Sequence, residues 1–222
     1  MPKPPLLSSP ELERSSVVAN NTMNRERGLT GVNSYARELG VDLLAHLAHR
    51  PAPSWLDLCS GEGRALREAA SALPAEAVLT AVDLVGPLAP RSAPPALEEI
   101  VASVSSWTPP RTYDLITCVH GLHYIGDQLG LLTRAASWLT EDGLLAAHFD
   151  PESVRHADGS PAARPALSAL RAAGYSYSPR HHRLTLRGGR PVQLPFHYLG
   201  ADPTAGPNYT GQPAIASYYT AS

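Results

Sequence analysis

Residues 54–70 read SWLDLCSGEGRALREAA, and this stretch decides the fold. A short apolar run leads into a glycine-rich turn, and apolar residues then recur at helical spacing. The pattern predicts a strand, a tight turn and a helix, which is half of a βαβ unit. Gly61 and Gly63 have no Cβ, so their backbone can adopt unusual dihedral angles and lie close to a ligand. The free N–H groups of the helix that follows point to the same place.

Asp83 extends this site to a second strand. It ends another apolar run, residues 78–82, and lies 20 residues after Gly63. In a βαβ unit this position is the tip of the neighbouring strand, where a carboxylate can accept hydrogen bonds from both hydroxyls of a ribose. The spacing therefore predicts a cofactor that carries a ribose.

The glycine turn distinguishes two classes of cofactor. Dinucleotide enzymes usually carry G-x-G-x-x-G, whereas this chain has Leu66 at the position of the third glycine. The string LDLCSGEG, with Asp57 ahead of the glycines, strongly resembles motif I of the class I S-adenosylmethionine-dependent methyltransferases, D-x-x-x-G-x-G. The resemblance implies an α/β fold with a Rossmann-like, doubly wound, mostly parallel seven-stranded sheet and helices on both faces. It also implies S-adenosylmethionine as the cofactor and S-adenosylhomocysteine as the product.

The resemblance assigns parts of the cofactor to parts of the chain. The acid and the glycines of motif I hold the methionine end, and the acid after the second strand holds the ribose. Where the family usually has an acid for the adenine amino group, this chain has Ser103, whose uncharged oxygen accepts the same hydrogen bond more weakly. The residues expected to contact the cofactor, including two from the N-terminal helices, are Asp57, Ser60, Gly61, Gly63, Asp83, Leu84, Ser103, Val104, Val119, Tyr35 and Arg25.

Two histidines follow the predicted fourth strand, residues 113–119, at the sheet end where ligands bind in open α/β folds. A methyl acceptor that is a hydroxyl or a protonated amine must lose a proton, and histidine titrates close to neutral pH. His120 and His123 are therefore the candidate catalytic residues. Their H-x-x-H spacing also suggests two metal ligands. A third possibility is that His123 only packs in the core, with its ring nitrogen hydrogen-bonded to the backbone. Because no third ligand is evident nearby, no metal is predicted.

Length and charge narrow the class of protein. The 222 residues suffice for one sizeable α/β domain with short additions. A formal net charge of −2 disfavours a general nucleic-acid binder, and no apolar run is long enough for a membrane span or a secretory signal. We therefore expect a cytoplasmic location, and no nucleic-acid or membrane partner. Cys59 and Cys118 are expected to be small buried thiols in a reducing environment.

Composition and pattern divide the chain into four segments. Residues 1–15 are rich in proline and serine and are expected to be mobile. Residues 16–50 have helical periodicity and are expected to form a cap over the cofactor pocket, followed by the methyltransferase core in residues 51–200. Residues 201–222 contain paired aromatics in place of the charges typical of disorder. We expect this tail to fold back and shape the acceptor site, with the candidate lining residues Asn208, Tyr209, Gln212, Tyr218 and Tyr219.

The outer strands are less clearly marked. Residues 100–104 are expected to form the third strand of the sheet. Residues 175–177, 183–186, 192–194 and 196–199 have β-like patterns, and a glycine pair at 188–189 indicates a hairpin turn between them. These segments are expected to supply the sixth and seventh strands.

The combined prediction is a methyltransferase that acts on an oxygen or nitrogen atom of a small molecule or a peptide, as in specialised metabolism. Two alternatives stay open. The first is an NAD(P)-dependent oxidoreductase, which the missing third glycine disfavours. The second is a non-catalytic scaffold or sensor that binds S-adenosylmethionine, which the serine at the adenine position leaves open.

Overall fold

The computed structural model describes residues 5–18, 26–87 and 92–221 of the chain. Helices and strands within these ranges are, in chain order, α1 (Ser9–Glu13), α2 (Tyr35–Leu39), α3 (Leu43–Leu47), β1 (Ser54–Leu58), α4 (Arg64–Ala70), β2 (Val78–Asp83), β3 (Leu97–Val101), β4 (Tyr113–Cys118), α5 (Gln128–Ser137), β5 (Leu139–His148), β6 (Val154–His156), α6 (Ala163–Ala172), β7 (Ser176–Ser178), β8 (Arg183–Arg187), β9 (Phe196–Asp202) and β10 (Ala216–Ala221).

Seven strands form the main sheet, in the order β3-β2-β1-β4-β5-β8-β7. The first five pair in parallel, whereas β8 runs antiparallel to both β5 and β7. Strands β1 and β4 are buried at every position, as central strands covered on both faces must be. The strand order reverses between β1 and β4, and this switch point opens a crevice at the carboxyl ends of the strands. The predicted doubly wound, mostly parallel seven-stranded sheet is confirmed.

Two apolar cores lie on the two faces of this sheet. Neighbouring residues of β1 point to opposite faces, so that Trp55 belongs to one core and Leu56 to the other. Residues of α2, α3 and α4 fill the first core, and residues of α5 and α6 fill the second. The helices therefore cover both faces of the sheet.

The N-terminal segment differs from the mobile stretch expected for residues 1–15. Leu12 in α1 is fully buried, and Leu7 exchanges two backbone hydrogen bonds with Ala201, of 2.8 and 2.9 Å. These contacts hold residues 5–15 against β9. Burial of one leucine side chain, such as that of Leu12, stabilises the packed segment by about 2 kcal/mol.

The predicted helical cap is interrupted within residues 35–47. Ser34 caps α2, and Gly40 ends it in the left-handed conformation, with φ 59°. A side chain at Gly40 would be strained there, so glycine is the residue that permits the break. Asp42 then caps α3, where its carboxylate accepts from the backbone N–H of Ala45 at 2.9 Å. Residues 19–25, which belong to the expected cap, lie outside the described ranges.

Two of the strand predictions are wrong. The third strand is Leu97–Val101 and not residues 100–104; it lies at the edge of the sheet and carries two glutamates, so its pattern is less apolar than that of a central strand. Residues 196–199 belong to β9, which lies in a second, three-stranded sheet in the order β6-β10-β9. There β10 pairs in parallel with β6 and antiparallel with β9. The predicted tail thus supplies the central strand of a separate sheet.

None of the helices in the described ranges is long and apolar enough to cross a membrane.

Candidate active site

A cavity of about 670 Å³ lies at the switch point of the sheet. The turn after β1, the ends of β2 and β4, the N-terminal segment and the C-terminal tail all contribute to its wall. The predicted site residues that line it are Tyr35, Ser60, Gly61, Asp83, Leu84, Ser103, Val104, Val119, His120 and His123. Two others, Asp57 and Gly63, are buried and do not line it. The candidate Arg25 falls outside the described residues, whereas Arg27 lines the cavity.

The glycine turn and Asp83 form one hydrogen-bonded unit. Gly61 has φ 62°, which points its N–H at Asp83 Oδ2 over 2.8 Å. The N–H of Val85 donates to the other carboxylate oxygen over 3.0 Å. A carboxylate oxygen has lone pairs for more than one donor, so each can also accept from a ligand hydroxyl in the cavity. The backbone thus fixes this carboxylate in the position that the spacing predicts for a ribose acceptor.

Asp57 is fully buried beneath the turn. One of its carboxylate oxygens accepts from the Tyr35 hydroxyl over 2.7 Å, and the other accepts from Thr117 Oγ1 over 2.6 Å. Burial raises the pKa of Asp57 to about 7, against the lowering effect of these two hydrogen bonds. In this structure the carboxyl ties β1, β4 and α2 together behind the cavity.

The Ser103 hydroxyl does not stand alone at its position on the cavity wall. It donates a short hydrogen bond to the carboxylate of Glu13, which also lines the cavity. The backbone N–H of Ser105 donates to the same Ser103 oxygen over 3.2 Å. Sequence reasoning missed Glu13, because 90 residues separate it from Ser103 and nothing in α1 marks it as part of a site.

His120 stands at the centre of a cluster of rings. Its backbone is in the left-handed region, with φ 59°, at the entry to the 3₁₀ turn Gly121–Tyr124. Its Nε2 atom lies 3.2 Å from Glu38 Oε2, and its ring stacks on His148 with centroids 4.0 Å apart and planes 4° from parallel. The Tyr209 hydroxyl lies 3.5 Å from its Nδ1 atom. Neither Glu38 nor His148 was a predicted site residue, because each comes from a different element of the fold.

His123 differs from His120 in burial. It is 1% exposed, and neither of its ring nitrogens has a hydrogen-bond partner among the described residues. Burial, followed by the charges of His120 and His148, lowers the pKa of His123 to about 3. The ring is therefore neutral at physiological pH, and its edge contacts Tyr209 at a centroid distance of 5.2 Å.

Part of the C-terminal tail lines the cavity. Asn208, Tyr209 and Gln212 are on the wall, and the Tyr209 ring stacks on His182 with centroids 3.7 Å apart and planes 5° from parallel. Tyr218 and Tyr219 instead lie buried in β10. The structure thus divides the predicted tail into a cavity-lining loop and a structural strand.

Comparisons with known proteins place this site in a family. A family model described as a methyltransferase domain matches residues 32–184. No curated protein sequence matched the chain. Three similar solved structures are the plantazolicin methyltransferase BpumL in complex with SAH, coclaurine N-methyltransferase bound to N-methylheliamine and SAH, and CalS10, an amino pentose methyltransferase from Micromonospora echinaspora.

The similarity to these structures is distant. Sequence identity is 18%, 20% and 19% respectively, each with a TM-score of 0.40. The aligned parts cover 50%, 53% and 52% of this chain, and 44%, 37% and 50% of the three solved chains, so that this chain spans half of their length or less. The family model, in contrast, covers more than half of the present chain. The chain belongs to the methyltransferase domain family, and the class I S-adenosylmethionine-dependent methyltransferase fold predicted from LDLCSGEG is confirmed.

Proposed function

We propose that this protein transfers the methyl group of S-adenosylmethionine to an oxygen or nitrogen atom of a small molecule or a peptide. One observation carries the proposal: a single cavity is lined both by the motif I turn with Asp83 and by His120, His123 and Tyr209. The first set suits the cofactor, and the second set suits an acceptor that must be oriented and deprotonated. A wall of aromatic and imidazole rings favours a small metabolite or a short peptide segment over a bulk polymer.

The cavity fits the cofactor in size and in donor chemistry. Small-molecule sites usually measure about 300–1,000 Å³, and this cavity of about 670 Å³ is within that range. Asp83, held by Gly61 and Val85, would accept from the ribose hydroxyls. Arg27, which lines the cavity, would pair with the carboxylate of the methionine end. When bound, S-adenosylmethionine supplies a sulfonium methyl group that an aligned lone pair displaces in line.

Glu13 supports an adenine site where the family's usual acid is missing. Its carboxylate faces the cavity and accepts from Ser103. A carboxylate has a second oxygen, which would accept from the adenine amino group. Helix α1 of the N-terminal segment would thus provide the carboxylate that is missing at the Ser103 position after the third strand.

His120 is the proposed receiver of the acceptor's proton. A carboxylate can only accept hydrogen bonds, so the contact with Glu38 assigns a hydrogen to Nε2 of His120 and leaves a lone pair on Nδ1. The Nδ1 atom lies beside the Tyr209 hydroxyl, on the cavity wall. His123, neutral and buried, would contact the acceptor and orient it but would not hold its proton.

Calorimetric titration with S-adenosylmethionine, S-adenosylhomocysteine and NAD tests the cofactor assignment. We expect micromolar binding of the two sulfur compounds, and Asp83→Asn should weaken it by about 10–100-fold, because charge-assisted hydrogen bonds to the ribose become neutral ones. Asp142→Asn, a change at an exposed position, is the matched control and should bind like the wild type. Tighter binding of NAD would support the oxidoreductase alternative.

The methyl-transfer step needs a second assay. The protein is incubated with S-adenosylmethionine labelled in its methyl group and with panels of small amines, phenols and peptides, and the label is followed into product. Labelled product that disappears in Asp83→Asn supports the proposal. Binding of S-adenosylhomocysteine without transfer to any acceptor would favour a scaffold or sensor.

A further inference from the structure

Three side chains with metal-binding atoms meet beside the cavity, and each comes from a different part of the chain; Glu38 and His120 line the cavity, and His148 is buried next to them. Glu38 lies in α2, His120 follows β4, and His148 ends β5. Glu38 Oε2 is 3.2 Å from His120 Nε2 and 3.7 Å from His148 Nε2. One donor atom from each residue lies within 4.8 Å of the other two. Donors that share one transition-metal ion at about 2.0–2.2 Å lie about 3 Å apart, so these atoms are close to the required spacing.

The two imidazoles both present a nitrogen to the carboxylate of Glu38. Their Nε2 atoms both face Glu38, and the rings are stacked in parallel with centroids 4.0 Å apart. His148 is 2% exposed, and its Nδ1 atom has no hydrogen-bond partner among the described residues. For the two lone pairs to converge on one ion, the ring of His120 turns about its Cβ–Cγ bond. Its side chain is 16% exposed and lines the cavity, whereas His148 is buried.

Metal ligation requires lone pairs on the ligand atoms, so the tautomer of His120 must change when an ion binds. The ion takes the place of the hydrogen on Nε2, which faces Glu38, and the neutral ring then carries its hydrogen on Nδ1, beside the Tyr209 hydroxyl.

We propose that Glu38, His120 and His148 form a binding site for one divalent transition-metal ion, of the class of Zn²⁺, Fe²⁺ or Co²⁺. Two imidazoles with one carboxylate suit this class, whereas Mg²⁺ and Ca²⁺ prefer oxygen ligands alone. Three protein ligands leave coordination positions for water or for an oxygen of the acceptor, because Glu38 and His120 both line the cavity. His123, the second histidine of the H-x-x-H pair, is not a ligand in this arrangement.

The metal site adds a residue-level role to the proposed function, and it rests on that function only for the statement that a methyl acceptor binds next to the ion. With an ion on Nε2 of His120, the remaining hydrogen of the neutral ring is on Nδ1, so the ring no longer receives a proton. The positive charge of the ion would then lower the pKa of a bound acceptor oxygen. His120 thus has one role in the unloaded protein and another in the loaded protein, and metal binding can be measured apart from methyl transfer.

Titration of the full chain with Co²⁺ tests the proposal, since this ion reports its ligands through visible absorption. The protein is first freed of metal with a chelator, which is then removed. We expect one Co²⁺ ion per chain, with ligand-field bands of a site containing nitrogen and oxygen, and displacement of Co²⁺ by Zn²⁺ but not by millimolar Mg²⁺. Loss of a ligand in His148→Asn should weaken binding by at least about 100-fold, and Glu38→Gln should weaken it by at least about tenfold.

Controls separate ligand loss from misfolding and from unspecific binding. His197→Asn changes an exposed histidine outside the cluster and should keep the affinity for Co²⁺ unchanged. Binding of S-adenosylhomocysteine by each variant shows that it is folded, and Glu38→Gln serves if the buried His148→Asn variant does not fold. The proposal is overturned if Co²⁺ binds the wild type no better than it binds Glu38→Gln, or if Mg²⁺ displaces it. A wild type that binds Co²⁺ at this site but not S-adenosylhomocysteine would leave the metal site standing and refute the proposed function.

Discussion

Replacing Asp57 by asparagine should remove a large part of the pH dependence of stability. Asp57 is fully buried, and burial raises its pKa from the usual 3.8 to about 7. Between these pH values the folded protein keeps a proton that the unfolded chain has lost, so the free energy of unfolding falls as the pH rises through this window. A shift of about 3 pK units at about 1.36 kcal/mol each amounts to about 4 kcal/mol, of which about 3 kcal/mol falls between pH 5 and pH 8.

Urea denaturation of the wild type and of Asp57→Asn at pH 5 and pH 8 measures this effect. An amide has no charge to desolvate, and it retains one oxygen for the hydroxyl of Tyr35 or Thr117. Relative to the wild type, the variant should therefore gain about 3 kcal/mol in unfolding free energy from pH 5 to pH 8. Asp142→Asn, at an exposed position, should follow the wild-type curve. Parallel pH dependences for Asp57→Asn and the wild type would refute the reasoning.

Two further substitutions test the cavity wall. Tyr209→Ala removes the ring that stacks on His182, so we expect kcat/KM for the acceptor to fall at least about tenfold while affinity for S-adenosylhomocysteine changes less than about threefold. An unchanged kcat/KM would remove the tail from the acceptor site. Glu13→Gln neutralises the partner of Ser103, so titration should show about fivefold weaker binding of S-adenosylhomocysteine. Because the new amide can also donate a hydrogen bond, Glu13→Gln should bind S-adenosylhomocysteine and its inosine analogue with more similar affinities than the wild type does. An unchanged ratio of the two affinities would contradict the adenine assignment.

The strand, turn and acid of the cofactor site could be predicted from the sequence, because each depends on a local pattern of residues. Three features within 30 residues each predict one part of the site. The apolar run of β1 predicts a buried strand, the two glycines predict a left-handed turn, and Asp83 predicts an acid at the tip of the next strand. The order of the central strands follows from the family resemblance of this unit. The weak predictions fell on β3 and β9, because an edge strand and a strand of a small separate sheet lack the continuous apolar run of a central one.

By itself, then, the sequence determined the fold, the position of the cofactor turn and the choice of a methyltransferase over a dinucleotide enzyme. Only the tertiary structure decided which polar groups share the cavity. Glu38 and His120 are 82 residues apart in the chain, and Glu13 and Ser103 are 90 apart. No local periodicity reports such encounters, because they depend on where β4 and β5 end relative to α1 and α2. The same holds for the tail, whose β10 pairs with β6 on one side and with β9 on the other.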